Sequence, residues 1–282
     1  MILVTGAPGN VGTEVVRFLQ KADAEFRIGA FNVESAREVF GDDIEIVRFD
    51  FTQPETFRDA FADVTRLFLV RPPALSNVDR DIAPAVWAAV GAGVEQIVFL
   101  SIQGVENNPI VPHHKIEQLV LKTGVIYTFL RASFFMQNLT TTHRDEIRER
   151  NEIAVPVGNA KTSFIDARDI AAVACRALTE GGHANQKYTL TGSEALDYDE
   201  VADKLSVVLD RSIQYRRPSV FRFIRDQSRE GRKFAQVLVM TALYTITRFG
   251  NARDVTGDVA QILDRQPITF AEFAHDHADV WR

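Results

Sequence analysis

Two hydrophobic periods alternate through the first half of the chain. Short apolar runs such as Ile2-Leu3-Val4 mark strands buried on both faces of a parallel sheet, and between them apolar residues recur every three or four positions, the spacing of an amphipathic helix. The runs predict strands at 1–5, 26–31, 44–50, 66–70, 96–101 and 126–131, with helices near 10–21, 34–39, 54–62, 80–92 and 113–123. Strand and helix in turn build βαβ units, so the expected fold class is α/β, a doubly wound parallel sheet with helices on both faces. Beyond residue 133 the regularity fades. Segments at 152–157 and 186–191 look extended, and helices are expected at 134–149, 168–180, 198–209, 218–230, 233–247 and 269–280. The pattern predicts a nucleotide-binding domain over 1–133 and a smaller α+β lobe over 134–282, interleaved with the first.

The first strand runs straight into Gly6-Ala-Pro-Gly-Asn-Val-Gly12, three glycines at a spacing of three, and Val11, Val15 and Leu19 then share one helical face. A strand, this glycine spacing and an amphipathic helix are what a dinucleotide pyrophosphate requires: a tight turn, close backbone approach, and amides at a helix start aimed at the phosphates. Gly6, Pro8, Gly9, Asn10, Val11 and Gly12 are therefore candidate cofactor contacts, and Asn10 is a candidate N-cap.

In this architecture ligands lie outside the carboxyl ends of the strands. After the second strand come Phe31 and Asn32, neither the acid that accepts from a free ribose 2′-hydroxyl nor the arginine that meets a 2′-phosphate. Asn32 can bond a ribose hydroxyl, Phe31 reads either as a ring against adenine or as core, and Arg37 is the nearest base in the following helix. The choice between NAD and NADP stays open. Asp50 and Phe51 follow the third strand, where Asp50 reads either as an acceptor for the adenine amino group or as a helix cap. Val70, Arg71 and Pro72 form the loop expected under the nicotinamide ribose, and Ser101 ends the fifth strand.

The Tyr-x-x-x-Lys pair of many short-chain reductases is absent, and the corresponding region reads Pro112-His-His-Lys-Ile-Glu117. Lys115 reads as a contact to the nicotinamide ribose or as an acid, and His113 and His114 as proton carriers, against the alternative of a solvated helix start. Glu117, one helical turn past His113, is placed to pair with it. No metal is expected, because adjacent histidines on a helix diverge and His275 and His277 have no third ligand at a recognised spacing. No Gly-x-Ser-x-Gly elbow occurs.

Composition narrows the partners. Apolar residues make up 46% and charged ones 25%, enough for a globular core, and the net charge of -6 gives a nucleic-acid partner no support. The single cysteine, Cys175, fits a reducing compartment and excludes an internal disulfide framework. The chain starts on its first strand and its longest apolar run, 235–247, is too short for a bilayer, so the expected setting is the cytoplasm without a membrane partner. That run reads as a buried or lid-forming helix, and with the apolar helix at 85–92 it could cover a homodimer face.

Beside the opening turn, Phe68-Leu-Val-Arg-Pro72, His113 through Glu117, Tyr127-Thr-Phe-Leu-Arg131, Phe135-Met-Gln-Asn-Leu139, Phe164-Ile-Asp-Ala-Arg-Asp-Ile-Ala171, Tyr188-Thr-Leu-Thr-Gly192 and Phe270-Ala-Glu-Phe273 span nearly the whole chain. With them the chain resembles the NmrA-like family of atypical short-chain dehydrogenases/reductases, including proteins similar to type 2 NAD(P)H:quinone reductases and triphenylmethane reductases. The resemblance implies a Rossmann-type lobe binding NAD(P) and a smaller lobe closing a cleft over the nicotinamide. It implies an acceptor site with Phe134, Phe135, Met136 and Asn138 on its floor and the 218–249 helices as its lid. Two departures stand out: Phe31 where many relatives have an arginine, and Ala132 after Arg131 where relatives often have proline. The expected function is hydride transfer from NAD(P)H to a planar conjugated small-molecule acceptor such as a quinone. The alternative is a non-catalytic dinucleotide-sensing regulator with a protein partner, and a nucleotide-sugar epimerase or dehydratase ranks behind both.

Overall fold

A computed structural model of the chain describes all residues from Met1 to Arg282 except Lys233 and Asn251, together with the side chains of Ala235 and Gln236. The strands are β1 (Ile2–Thr5), β2 (Phe26–Ala30), β3 (Ile46–Arg48), β4 (Arg66–Leu69), β5 (Gln96–Ile102), β6 (Ile126–Ala132), β7 (Glu152–Ala154), β8 (Gln186–Leu190) and β9 (Gln214–Arg216). Seven of them form one parallel sheet in the order β3-β2-β1-β4-β5-β6-β8, while β7 and β9 pair in a parallel ribbon of their own. The order runs outward one way from β1 and the other way from β4. The carboxyl ends of these two neighbours therefore flank the crevice where open parallel sheets bind ligands.

The chain divides into two compact units, Met1–Ala132 with Ala167–Leu190, and Ser133–Asp166 with Thr191–Arg282. In the first, Leu3, Leu67, Leu69, Ile97 and Phe99 of the central strands are buried with a phenylalanine cluster, Phe49, Phe51, Phe57 and Phe61. Edge-to-face geometry between Phe49 and both Phe51 and Phe61, at 4.8 and 5.5 Å between centroids, fixes the chain as it leaves β3. In the second unit Met136, Ile153, Val201, Leu205, Phe270 and Trp281 share a separate core.

The helix Ala167–Thr179 and strand β8, expected in the second lobe, belong to the first unit. That helix lies against the helix Asn10–Lys21, and β8 extends the main sheet beyond β6, Leu130 opposite Tyr188. Its alanine-rich sequence is buried around most of its circumference, as an interior helix requires.

Local chemistry accounts for other departures. The helix expected at 80–92 divides into Val78–Asp81 and Ala83–Gly91, with Pro84 in the first turn of the latter, where it has no N–H to donate. The helix expected at 134–149 reduces to a single turn at Met136–Asn138 and the helix Arg144–Arg150. Thr140 and Thr141 between them turn their hydroxyls onto the carbonyl of Gln137, competing with a helical ladder. The helix expected at 233–247 is Phe234–Arg248; Lys233 lies outside the described residues. Val237 and Tyr244 are buried on it, whereas Leu238, Val239, Leu243 and Ile246 are exposed. No helix among the described residues is long and apolar enough to cross a membrane.

Candidate functional site

The turn between β1 and the helix Asn10–Lys21 tolerates only glycine at its three repeated positions. Gly6 has a φ of +76°, and a Cβ there would lie 2.7 Å from Val70 Cβ. A Cβ on Gly9 would lie 2.6 Å from the Gly6 carbonyl oxygen, and one on Gly12 2.6 Å from the Gly6 carbonyl carbon. Each hydrogen in place of a methyl lets the turn fold onto itself and the helix start close over it. Thr5 fastens the base: its hydroxyl donates to the Phe68 carbonyl at 2.9 Å and accepts from the Val70 amide at 2.9 Å, tying the ends of β1 and β4 together.

The helix cap differs from the sequence expectation. Gly9 is the N-cap and offers no side-chain bond, while Asn10 is the first helical residue. Thr13 closes the turn, its amide donating to the Gly9 carbonyl at 2.9 Å and its hydroxyl accepting from the Gly9 amide at 3.2 Å. The amides of Asn10, Val11 and Gly12 are thus left at an uncapped helix start beside the exposed Pro8, Gly9 and Asn10, an arrangement suited to a diphosphate. Val11 itself is buried and offers the site only its backbone.

At the end of β2 Phe31 is 67% exposed, so it is no core residue. Asn32 caps the helix Val33–Phe40 by accepting the Ser35 amide on Oδ1 at 2.9 Å. Arg37 points to Asp42 at 3.9 Å. A residue the sequence reading passed over, Arg48 at the end of β3, places its guanidinium carbon 5.5 Å from the Phe31 ring centroid and donates to Gln53 Oε1 at 3.2 Å. The signal is a charged residue between Val47 and Phe49 at the strand's last position.

Asp50 is buried, and its Oδ1 accepts from both the amide and the hydroxyl of Thr52, at 2.9 and 2.8 Å, so that oxygen closes a local turn. The Phe51 ring is in the core against Phe49, which removes it from the cofactor side chains. Arg71 is also drawn inward: Nη1 donates to the carbonyls of Pro72, Pro73 and Leu75 at 2.9, 3.1 and 3.0 Å, and burial lowers its pKa. Through Nη1 the side chain holds the loop's path. Pro72 remains partly exposed in that loop.

Ser101 is buried as well. Its hydroxyl donates to Glu117 Oε1 at 2.7 Å, and Arg131 grips the same carboxylate with Nε at 3.1 Å and Nη2 at 2.7 Å. Glu117 therefore serves β5 and β6, not His113, and the expected His113–Glu117 pair does not form. On the helix Pro112–Thr123 the two histidines are likewise engaged. His113 lies face to face with Phe99 at 5.9 Å, and burial, aided by the positive charge of Arg71, pushes its pKa down to about 3. That environment disfavours the imidazolium form near pH 7. His114 is tied through Nδ1 to the Val105 carbonyl at 3.1 Å. The exposed Lys115 side chain makes no hydrogen bond or ion pair among the described residues.

In the second unit Met136 is 2% exposed within the core, so it does not present the acceptor surface expected of it. Phe134 and Phe135 are partly exposed, Phe134 stacked on Tyr244 at 6.2 Å and Phe135 pairing its backbone with Ile165. Asn138, also partly exposed, donates its amide to the Phe135 carbonyl.

The NmrA-like family model matches residues 1–274. An NAD(P)H azoreductase from Xenophilus azovorans is 35% identical over 282 residues, 99% of this chain and 98% of that protein. Agroclavine dehydrogenase from Claviceps fusiformis is 30% identical over 99% of this chain and 98% of its own length. Among solved structures, Citrobacter sp. triphenylmethane reductase complexed with NADP(H) superposes with a TM-score of 0.85 at 25% identity, covering 98% of this chain and 99% of that one. Seven parallel strands wound about a glycine turn, and a sequence match running almost from end to end, make the chain a member of the NmrA-like family.

Proposed function

We propose that this chain is an NAD(P)H-dependent reductase that delivers hydride to a planar, conjugated small molecule of the quinone or azo-dye type. The observation that carries the reading is the turn at Gly6, Gly9 and Gly12, closed to any Cβ and leading into an uncapped helix. An NAD(P)H azoreductase and an NADP(H)-bound dye reductase among its full-length relatives support the same chemistry.

The residues sort by what each has free to offer. The amides at 10–12 bind the pyrophosphate, Gly6 and Gly9 let it approach, and Asn10 borders it. Asp50 has Oδ2 left for the adenine amino group, and Asn32 has its Nδ2 donors left for a ribose oxygen. Val70 and Pro72 shape the loop beneath the nicotinamide ribose. The reduced nicotinamide, when bound, supplies the hydride. Lys115 holds a proton at Nζ for the acceptor heteroatom or fixes the ribose. In the second unit, Phe134, Phe135 and Asn138 keep flat and polar groups partly exposed, chemistry suited to an aromatic ligand.

The test is purified protein with NADPH or NADH and a panel of quinones and azo dyes, following loss of reduced nicotinamide. Turnover with at least one acceptor is expected; oxidation no faster than background with either cofactor sinks the reading. Lys115→Ala should lower kcat at least about tenfold with the dinucleotide Kd unchanged if the lysine serves the acceptor, and should raise that Kd if it serves the ribose.

A further inference from the structure

The edge of the sheet beside β2 holds a cation that the fold does not use. Arg48 stands at the last position of β3, in register with Ala30 of β2, so its side chain emerges next to the residue that follows, Phe31. The guanidinium lies over that ring, and its remaining polar partner is neutral Gln53. No carboxylate pairs with it among the described residues. Phe31 in turn is a large apolar ring, 67% exposed at a strand end where most rings are covered.

The acceptor a free ribose 2′-hydroxyl would want is poorly supplied here. No acid ends β2, and Asn32 Oδ1 already receives the Ser35 amide. A flat ring that orients a planar cation, with most of its donors uncommitted, suits a phosphate instead.

We propose that Arg48, seated on Phe31, recognises the 2′-phosphate of NADP(H) and makes this chain prefer the phosphorylated cofactor. The assignment rests on the dinucleotide reading above and adds to it the choice of cofactor and the residue that makes it. Phe31 fixes the plane of the guanidinium, so the arginine needs no second cation from the helix 33–40, and Arg37 stays with Asp42.

Calorimetric titration of the intact protein with NADPH, NADH, NADP+ and NAD+ tests it without relying on turnover. Wild type should bind NADPH at least about tenfold more tightly than NADH. Arg48→Ala should weaken NADPH roughly 10- to 100-fold, as expected when a charge-assisted contact is lost, and leave NADH within about twofold. Arg48→Lys should keep part of the preference, since a lysine carries the charge without the planar fork, and Phe31→Ala should fall between wild type and Arg48→Ala. Arg48 is exposed, and unchanged circular dichroism of the variants separates lost binding from lost fold. If wild type binds none of the four, the dinucleotide reading itself fails. If it binds NADH as tightly as NADPH, if Arg48→Ala weakens both alike, or if Arg37→Ala rather than Arg48→Ala removes the preference, only this assignment is overturned.

Discussion

Replacing His113 by phenylalanine isolates the cost of a partly buried imidazole. The ring lies against Phe99, and burial with the nearby charge of Arg71 brings its pKa from 6.5 to about 3. Between those values the unfolded chain takes up a proton that the native chain refuses. Stability therefore falls as pH drops through that window, and this group adds no pH dependence above it. At 1.36 kcal/mol per pKa unit the gap sets a ceiling of about 5 kcal/mol, of which roughly 2.5 kcal/mol is lost between pH 7 and pH 4.5. Phenylalanine keeps the stack and lacks the proton site. Urea unfolding of both proteins at the two pH values is the assay, and the difference of differences cancels carboxylates that titrate alike in each. The variant should gain up to about 2.5 kcal/mol on wild type at pH 4.5. If the two lose stability in parallel, within about 0.5 kcal/mol, the imidazole is not shielded as described. The same variant should keep its reductase kcat within a few-fold at pH 7, because a neutral imidazole there is no acid.

Gly9→Ala would put a methyl 2.6 Å from the Gly6 carbonyl oxygen, so the turn must open; dinucleotide affinity should fall at least about tenfold by calorimetry, and an unchanged Kd would refute the close-approach argument. Glu117→Gln removes the charge held by Arg131 and Ser101 and should cost about 3 kcal/mol, seen as a melting temperature lower by roughly 5–10 °C, whereas a shift under about 2 °C would mean that Glu106 alone satisfies Arg131. Thr5→Val cuts the tie between the ends of β1 and β4 and should cost about 1–3 kcal/mol in urea unfolding while widening the turn enough to weaken dinucleotide binding; no change in either would leave the hydroxyl without a role.

How far the sequence could be read depended on whether a property is local. The helices at 10–21 and 198–209 match their expected limits because the apolar period and its breakers lie within a few residues. Asp197 and Glu200, for instance, form a complete capping box. Which unit β8 joins is not legible, because its partner, β6, lies more than fifty residues earlier, and an apolar run does not state whom it pairs with. The site followed the same rule. The three glycines are a contiguous signal and are legible as a turn, although the cap falls on Gly9 and not on Asn10, whereas the strand-end residues rest on position alone. Position does not say which way a side chain turns: Phe51, Arg71 and Ser101 turn inward and Phe31 outward. Arg48 was missed because only the β2–β3 register brings it beside Phe31.

The return of the chain to the first unit after residue 166 governs how it can be cut. A fragment ending at 133 would carry every residue of the glycine turn yet leave β6 as a bare edge, its backbone donors and acceptors free to recruit another chain. The helix Asn10–Lys21 would also lose the neighbour that shields it. Such a fragment should precipitate rather than bind, and transplanting the nucleotide-binding half calls for splicing 167–190 directly behind 132. Modularity here belongs to the spatial unit and not to any single stretch of polypeptide.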